Sequence, residues 1–522
     1  MLYLHSQHIV SSSGHTVYMR DFDKNEIGRD GPHPRPDPAY AGELTAENLQ
    51  RVFAHCADFE LRQVTPALAA PTTVAVCWLD GVVSGTAVSE EVLRPLTEPR
   101  RMLGLADGEA LLSALLRGGI YSYSVKRRDT LSDVAADLIQ GFCAVVVPGA
   151  GAVTFETRSS NTRAIGEPSM EKTVKGAKDA FVETLRINTS LVRRKLRTPS
   201  LKVEQTLVGR KSNTTAAVLY VEQVADQAVV EELLARINAI DIDGLLAAGD
   251  LEEYIVDDPN TPFPQMLHTE RADKFAMLLL EGRVGVIVDG LPLGFLLPAT
   301  LSAFLQVPDD SAQHYTVATA LTLLRWMSLV FALVLPALLV AVAMYHQEML
   351  PTKLLQSMVA AKQQVPFGVA MEVLAMLVAF ELLQEAGLRL PSSVGQTVSI
   401  IGALIVGQSA VEARVVSPIA VIVVALSGIS GYAMPSQDLS SALRLLRLAL
   451  VLCSMLAGLF GLMAGLTLLI WHLTTLESFG VAYTAPVTDS DQGFASVLLR
   501  RPLRRKKFRP GELGSRDRRR QR

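Results

Sequence analysis

Hydrophobic and polar residues divide this chain of 522 residues into three parts. Up to about residue 314 apolar and charged residues are mixed as in a globular protein, and from there to about residue 472 long apolar runs dominate. From about residue 500 the chain is polar and basic. Long apolar runs are typical of membrane-spanning helices. The pattern predicts an α/β soluble N-terminal region of two subdomains, followed by an all-α polytopic membrane domain.

The soluble part divides further where the pattern changes. The Pro-rich stretch "GPHPRPDPAY" ends a flexible N-terminal segment and linker, residues 1–41. Helical periodicity and strand-like runs then predict a first cytoplasmic α/β subdomain over residues 42–165. A basic helical connector and a second cytoplasmic α/β subdomain are predicted over residues 166–313. The connector's basic side chains are expected to be solvated or paired within the chain, with lipid headgroups or a partner's acids as the alternative contacts.

The membrane domain, residues 314–480, is predicted to contain four to five helical segments. The first span is "LRWMSLVFALVLPALLVAVAMYHQ", with Arg325 and Trp326 at one membrane interface and Tyr345 at the other. Three further spans are predicted over residues 394–411, 416–433 and 448–470.

One apolar segment, residues 366–387, differs from these spans because it carries acids. Glu372, Glu381 and Glu385 would each be costly at the centre of a bilayer. We therefore expect an interfacial or re-entrant helix on the outer side. A fourth acid of the membrane domain, Glu412, lies between two predicted spans.

Charge sets the expected orientation. The net charge is −3, yet residues 481–522 form a basic tail with about a dozen Lys and Arg against two acids after residue 499. A disordered tail on the cytoplasmic side is favoured by the positive-inside rule, and anionic lipid or nucleic acid is the weaker alternative. The N-terminus lacks the pattern of a signal peptide, so both ends are expected in the cytoplasm. The resulting even number of crossings places Arg444 and Arg447 on the outer side of the membrane, although the positive-inside rule favours arginine on the cytoplasmic side.

Composition and motifs restrict the chemistry. Hydrophobic residues make up 49% of the chain, which agrees with a membrane protein. The four cysteines have no paired spacing, which argues against a zinc site and a disulfide framework. The soluble part has no Gly-rich dinucleotide or phosphate loop, no nucleophile elbow and no metalloprotease motif. We therefore expect no enzymatic activity, no cofactor and no metal.

The span 394–411 carries a stripe of small and polar residues on one helical face. Its members are Gln396, Ser399, Ala403, Val406, Gly407 and Ala410. Such a stripe fits either a tight seam between helices or a narrow water path formed by several copies around an axis. In the second case Val406 is the candidate hydrophobic gate. Gly461 and Gly465, spaced as small-x-x-x-small, are candidates for close helix packing.

A series of stretches occurs in order along the chain, including "WLDGVVSG", "KGAKDAFVETLRINTSLVRRKLRTPSLKVEQTLVGRKS", "FPQMLHTERAD", "LLEGRVGVIVDG", "VPFGVAMEVLAM", "FELLQEAGLRLPSSVGQTVSIIGALIVGQSAVEA" and "HLTTLESFG". Together they make the chain, from about residue 47 to about residue 486, resemble the A subunits of bacterial spore germinant receptors, the GerA family. The chain departs from the usual pattern at Ala272 and Ala482, where that family usually has proline.

The resemblance implies a subunit in the inner membrane of the dormant spore, with the N-terminal domain in the cytoplasm. It implies a transporter-like B subunit that binds nutrients and a lipoprotein C subunit as partners. It further implies a homo-oligomer in membrane lipids around a pore for monovalent cations, and no nucleic acid.

Three hypotheses follow from the sequence. The leading one is a subunit of a nutrient-gated cation channel that triggers germination. A secondary transporter of ions or small nutrients is the alternative, and it would favour broken helices and repeated segments. A membrane-tethered enzyme is third, because no catalytic set is found.

Overall fold

Two antiparallel sheets and a bundle of long helices make up the protein, as seen in a computed structural model. The structure describes residues 40–69, 72–98, 105–120, 122–159, 166–168, 171, 173, 175–363, 365–389, 407–487, 497–500, 502 and 505–520.

Subdomain 1 is a sheet covered by helices on both faces. Its strands are β1 (Phe59–Val64), β2 (Val74–Leu79), β3 (Val125–Arg128), β4 (Phe142–Val147) and β5 (Gly151–Glu156), in the order β1-β2-β4-β5-β3. Its helices are α1 (Ala46–Val52), α2 (Gly85–Ala87), α3 (Arg94–Thr97), α4 (Gly108–Ala114) and α5 (Leu131–Ile139). The central strand β4 is buried along its whole length, because α1 and α5 cover one face, while α3, α4 and the helical segment Val88–Leu93 cover the other.

Subdomain 2 repeats this arrangement. Helix α6 (Leu185–Lys195) precedes β6 (Leu201–Val208) and β7 (Thr214–Val221), and then come α7 (Gln227–Asn238), α8 (Ala248–Ile255), β8 (Leu267–Thr269), α9 (Ala272–Glu281), β9 (Val284–Val288) and β10 (Gly294–Leu297). The strand order, β6-β7-β9-β10-β8, is that of subdomain 1 in the same sequence of elements. The two predicted mixed subdomains are therefore structural repeats. All their sheet pairings are antiparallel, whereas α/β units have parallel strands.

The connector helix α6 joins the subdomains through a buried ion pair. Arg193 on α6 donates from Nε and Nη2 to Asp58 of subdomain 1, at 2.5 and 2.7 Å. Its third nitrogen, Nη1, donates to the carbonyl of Leu201 at 3.0 Å. Arg186 and Lys195 on the same helix also pair with acids. The expectation of pairing within the chain is thus confirmed for these residues.

The helical half begins after α10 (Leu301–Phe304). It contains α11 (Tyr315–Tyr345), α12 (Thr352–Lys362), α13 (Val369–Arg389), α14 (Pro418–Tyr432) and α15 (Gln437–Thr475), and residues 407–412 are also helical. Two of the described helices, α11 and α15, are long and apolar enough to cross a membrane. The core of the bundle is continuous with one face of subdomain 2.

Helix α15 is a hairpin rather than one span. Ala457 and Gly458 have non-helical backbone angles, and Gly458 has a φ of 58°, which favours glycine. The arms 437–456 and 459–475 run back along each other, since a Cβ at Gly465 would lie 2.7 Å from Cδ2 of Leu450. The prediction of a single span over 448–470 is therefore wrong, because a break without proline leaves no strong signal in the sequence. We call residues 437–475 the helical hairpin.

The acid-bearing segment packs inside the helical bundle. Helix α13 is continuous over 21 residues and packs against α11, α14 and the helical hairpin, with Val373 and Leu377 fully buried. The bundle supplies partners for Glu372 and Glu381, and α13 is not among the described helices that are long and apolar enough to cross a membrane. The interpretation as an interfacial or re-entrant helix stays a prediction.

The C-terminal tail docks on subdomain 2 where the structure describes it. Arg520 and Lys506 lie 3.4 and 3.5 Å from Glu281 at the end of α9. Ser515 Oγ donates to the carbonyl of Glu281 at 3.2 Å, and Arg509 Nε donates to that of Leu280 at 2.9 Å. The expectation of a disordered tail is therefore wrong for residues 505–520, since an acid of subdomain 2 neutralises part of its charge.

Candidate functional site

The small-residue stripe of the sequence lies mostly beyond what the structure describes. Gln396, Ser399, Ala403 and Val406 are outside the described residues. Gly407 and Ala410 are described and half-buried, and a Cβ at Gly407 would lie 3.9 Å from Cγ1 of Val421 on α14. The described end of the stripe thus faces a helix of the same chain. Its role in a pore stays a prediction.

A chain of polar contacts crosses the helical bundle. Glu381 on α13 accepts from Arg447 Nη2 at 2.5 Å and from Arg444 Nη1 at 3.2 Å, and both arginines lie on the first arm of the helical hairpin. Arg447 Nη1 donates to Ser427 Oγ on α14 at 3.0 Å. Ser427 Oγ in turn donates to the carbonyl of Ala332 on α11 at 2.8 Å. These contacts join four helices. We call the series Glu381, Arg444, Arg447, Ser427 and the Ala332 carbonyl the polar chain.

Burial and pairing explain why charged side chains are tolerated among these polar contacts. The Arg447 side chain is only 3% exposed, whereas that of Arg444 is 27% exposed. A buried charge is tolerated when an opposite charge and hydrogen bonds meet it. Arg444 and Arg447, which the sequence left without an explanation, are therefore the partners of the acid on α13.

The other acids of the helical half are placed differently. Glu372 is buried, and its Oε2 accepts from the backbone nitrogen of Ser417, the N-cap of α14, at 2.8 Å. A helix N-terminus favours a carboxylate because of its partial positive charge. Glu412 is exposed and accepts from Gln408 at 3.0 Å, and Glu385 lies on an exposed part of α13.

The tip of the helical hairpin is closed against α11. A Cβ at Gly458 would lie 2.8 Å from Cβ of Tyr345, and Gly461 lies directly against the Cys453 carbonyl of the opposite arm. The Tyr345 hydroxyl donates to the Met455 carbonyl at 2.7 Å. This carbonyl is one that the helix break frees. Gly461 and Gly465 thus provide close packing between the arms of one chain.

Removing the Tyr345 hydroxyl tests this closure. We expect Tyr345→Phe to lower the free energy of unfolding by about 0.5–1.5 kcal/mol, the net worth of one hydrogen bond. An SDS titration of the purified protein measures the change. Tyr432→Phe is the control, since Tyr432 is an exposed residue of α14 that contacts Phe380 only through its ring. Equal losses in the two variants would contradict the role of the hydroxyl.

Subdomain 2 holds both ends of the helical hairpin, at a surface that we call the junction. His268 Nδ1 on β8 donates to Asp438 Oδ2 at the start of the first arm, at 2.8 Å. Thr261 Oγ1 and His472 Nε2, at the end of the second arm, are also 2.8 Å apart. A displacement of subdomain 2 therefore acts on both arms together.

The residues after the helical hairpin complete the junction. A two-strand turn, β11 (Glu477–Ser478) and β12 (Val481–Ala482), returns the chain to subdomain 2. The Phe479 backbone nitrogen donates to Asp257 at 2.6 Å, and the Arg236 guanidinium lies 4.3 Å from the Phe479 ring. Tyr483 is fully buried beside Phe263 and Phe304. Residues 481–487, predicted as the start of the tail, thus pack into the junction.

The junction is acidic and open to solvent on one side. A groove of about 450 Å³ there is lined by Glu252, Glu253, Asp258 and Asp438, among other residues. The hydrogen bond to Asp438 raises the pKa of His268, and burial opposes that effect. Burial raises the pKa of Glu252, and the charge of Asp438 raises it further. When it is protonated, His268 places a positive charge between acids of two different elements.

Sequence reasoning missed His268, Asp438 and His472. Nothing in their spacing marks them, because they come from distant segments that only the fold brings together. Opposite charges inside apolar segments, Glu381 against Arg444 and Arg447, were a usable signal for the polar chain. In the part of the chain that the structure describes, no three His, Cys, Asp or Glu side chains group as a metal site.

Comparisons with known proteins agree over nearly the whole chain. The family model described as Bacillus/Clostridium GerA spore germination protein matches residues 47–512. Spore germination protein KA of Bacillus subtilis (strain 168) is 37% identical over 450 residues, which cover 86% of this chain and 82% of that protein. Spore germination protein B1 of the same organism is 33% identical over 450 residues, covering 85% and 92%.

One solved structure is also similar. It is the N-terminal domain of the A subunit of the Bacillus megaterium spore germinant receptor GerK3, at 28% identity and a TM-score of 0.38. The similarity covers 50% of this chain and 96% of that domain.

Proposed function

Because the chain belongs to the Bacillus/Clostridium GerA family of spore germination proteins, we propose that it is the A subunit of a nutrient-sensing spore germinant receptor. The match of both halves of the chain, residues 47–512, is the observation that carries this proposal. A transporter-like B subunit and a lipoprotein C subunit are the partners that the family implies. The subunit acts without catalysis and without a cofactor.

The helical half lies in the inner membrane of the spore as a multi-pass domain. Its apolar surface supports this location, since Leu456 and Phe460 at the hairpin tip are 83% and 79% exposed. Large exposed apolar surface is rare on soluble monomers and fits contact with lipid.

Both soluble ends lie on the cytoplasmic side. Subdomain 2 holds the two ends of the helical hairpin, and residues 505–520 dock on the same subdomain. A tail that contacts subdomain 2 has to be on its side of the membrane. These contacts support an even number of crossings.

Several copies of the chain form a channel for monovalent cations, and the span predicted over residues 394–411 lines the ion path. The stripe of small and polar residues supports this assignment, because such residues are costly against lipid and suit a water path. The polar chain around Arg447 supports a bundle whose helices move as a unit. Nutrient-triggered conductance of the reconstituted complex separates the channel from a secondary transporter, which would give slow, saturable uptake.

The Val406 side chain is the proposed gate, and its truncation tests the proposal. A ring of apolar side chains closes a narrow pore by excluding water. We expect Val406→Ala to admit water, so that spores lose cations and germinate without nutrient. Spore cation content and spontaneous germination measure the effect.

The control is Ile405→Ala, which lies outside the stripe and about 100° around the helical wheel from Val406. It shortens a neighbouring apolar side chain and should cause no specific leak. A Val406→Ala strain with wild-type subunit levels, normal cation content and normal dormancy would falsify the gate assignment. A variant that only lowers assembly favours the seam between helices.

A further inference from the structure

We propose that His268 and Asp438 form a proton-dependent contact that couples subdomain 2 to the helical hairpin. This contact joins two halves of the protein at one atom pair, His268 Nδ1 and Asp438 Oδ2, 2.8 Å apart. The proposal rests on the geometry of the junction and does not require that the protein be a channel.

The position of the contact makes it a coupling element. His268 lies on β8, an edge strand of the sheet of subdomain 2. Asp438 lies in the first turn of the helical hairpin, two residues after its N-cap Ser436. On the second arm, His472 contacts Thr261 and Phe263 of subdomain 2. The His268–Asp438 contact therefore holds the first arm.

The charges around the contact make its stability depend on whether His268 is protonated. Asp438 faces His268 from the hairpin and Glu252 faces it from α8, while Lys274 of α9 pairs with Glu171 of the connector at 2.5 Å. A protonated His268 bridges the acids of the two halves. A neutral His268 leaves Asp438 and Glu252 as like charges across the junction, which repel each other.

The sign of the pH dependence follows from linkage. Docking raises the pKa of His268, so the docked state binds the proton more tightly than the undocked state. The contact is fully stabilising below the ordinary pKa of histidine, about 6.5, and this stabilisation is lost as the pH rises through the raised pKa. Alkaline conditions therefore loosen subdomain 2 from the hairpin.

A distance measurement on the full-length protein tests the proposal. Spin labels are attached at Tyr254→Cys on α8 and Leu445→Cys on the first arm, both exposed positions. Cys453 is replaced by Ala, and the remaining cysteines, all buried, do not react with the label. Pulsed electron resonance is recorded on samples frozen at about pH 5.5 and about pH 8.5, which bracket the ordinary titration of histidine.

We expect one short distance at the lower pH and an added longer distance at the higher pH. His268→Gln should abolish this response, and Asp438→Asn should move its midpoint to lower pH. His472→Gln, the matched change at the other arm, should keep the response. A wild-type distance that does not depend on pH overturns the proposal. So does a response that survives in His268→Gln, or one that only His472→Gln removes.

Discussion

Replacing Glu381 by glutamine should lower the free energy of unfolding by about 3–5 kcal/mol, the loss expected when a buried charge is left without its partner. The variant keeps the volume of the side chain and removes only its charge. Arg447, with a side chain 3% exposed, then retains Ser427 as its remaining partner in the polar chain. An SDS titration of the purified protein measures the loss.

Two further variants test whether the lost charge of Glu381 causes the destabilisation. Glu385→Gln, one turn further along α13 at an exposed position, should cost less than about 1 kcal/mol. The double variant Glu381→Leu with Arg447→Met should recover much of the loss, because replacing a buried pair by apolar side chains removes the unpaired charge. Equal losses for Glu381→Gln and Glu385→Gln would refute the importance of the pair.

Replacing Arg193 by alanine should cost the soluble half a similar 3–5 kcal/mol. Arg193 is fully buried, and its partner Asp58 is 6% exposed. The pair joins subdomain 1 to the connector helix, so its loss should also separate the subdomains. Chemical unfolding followed by fluorescence, and limited proteolysis between the subdomains, are the two measurements.

Arg186→Ala is the matched control on the same helix. Arg186 pairs with Asp80 of subdomain 1, but the two side chains are 53% and 38% exposed. An exposed pair contributes at most about 1 kcal/mol. If Arg186→Ala destabilised the protein as much as Arg193→Ala, burial would not be the cause of the effect.

The sequence predicted those features that depend on neighbouring residues. Apolar runs predicted both ends of α14 and the C-terminal end of α11 to within a few residues, but they missed the first turns of α11. Strand-like runs predicted many of the strands in both sheets. The repeat of the two subdomains was not found, because it lies in the order of strands in space. A helical break at Ala457 and Gly458 was missed because small residues also occur within membrane helices.

Contacts between residues far apart in the sequence could not be predicted either. The charges of Glu381 and Arg447 were visible, but their contact depends on how α13 packs against the helical hairpin. The docking of the tail on Glu281 likewise depends on a site more than two hundred residues earlier in the chain. The junction contains no motif at all, so His268 and Asp438 could be found only in the fold.

With the helical half in the membrane, as proposed above, the polar contacts of the bundle also give an order for its insertion during biosynthesis. Glu381 precedes Arg447 by 66 residues, so the ribosome delivers the acid first. An unpaired arginine near the centre of a membrane helix costs about 2.5–3.5 kcal/mol at insertion. If α13 is already in place when the first arm of the hairpin emerges, Glu381 meets the arriving arginines and lowers that cost. Insertion of the hairpin is then assisted by an earlier helix of the same nascent chain.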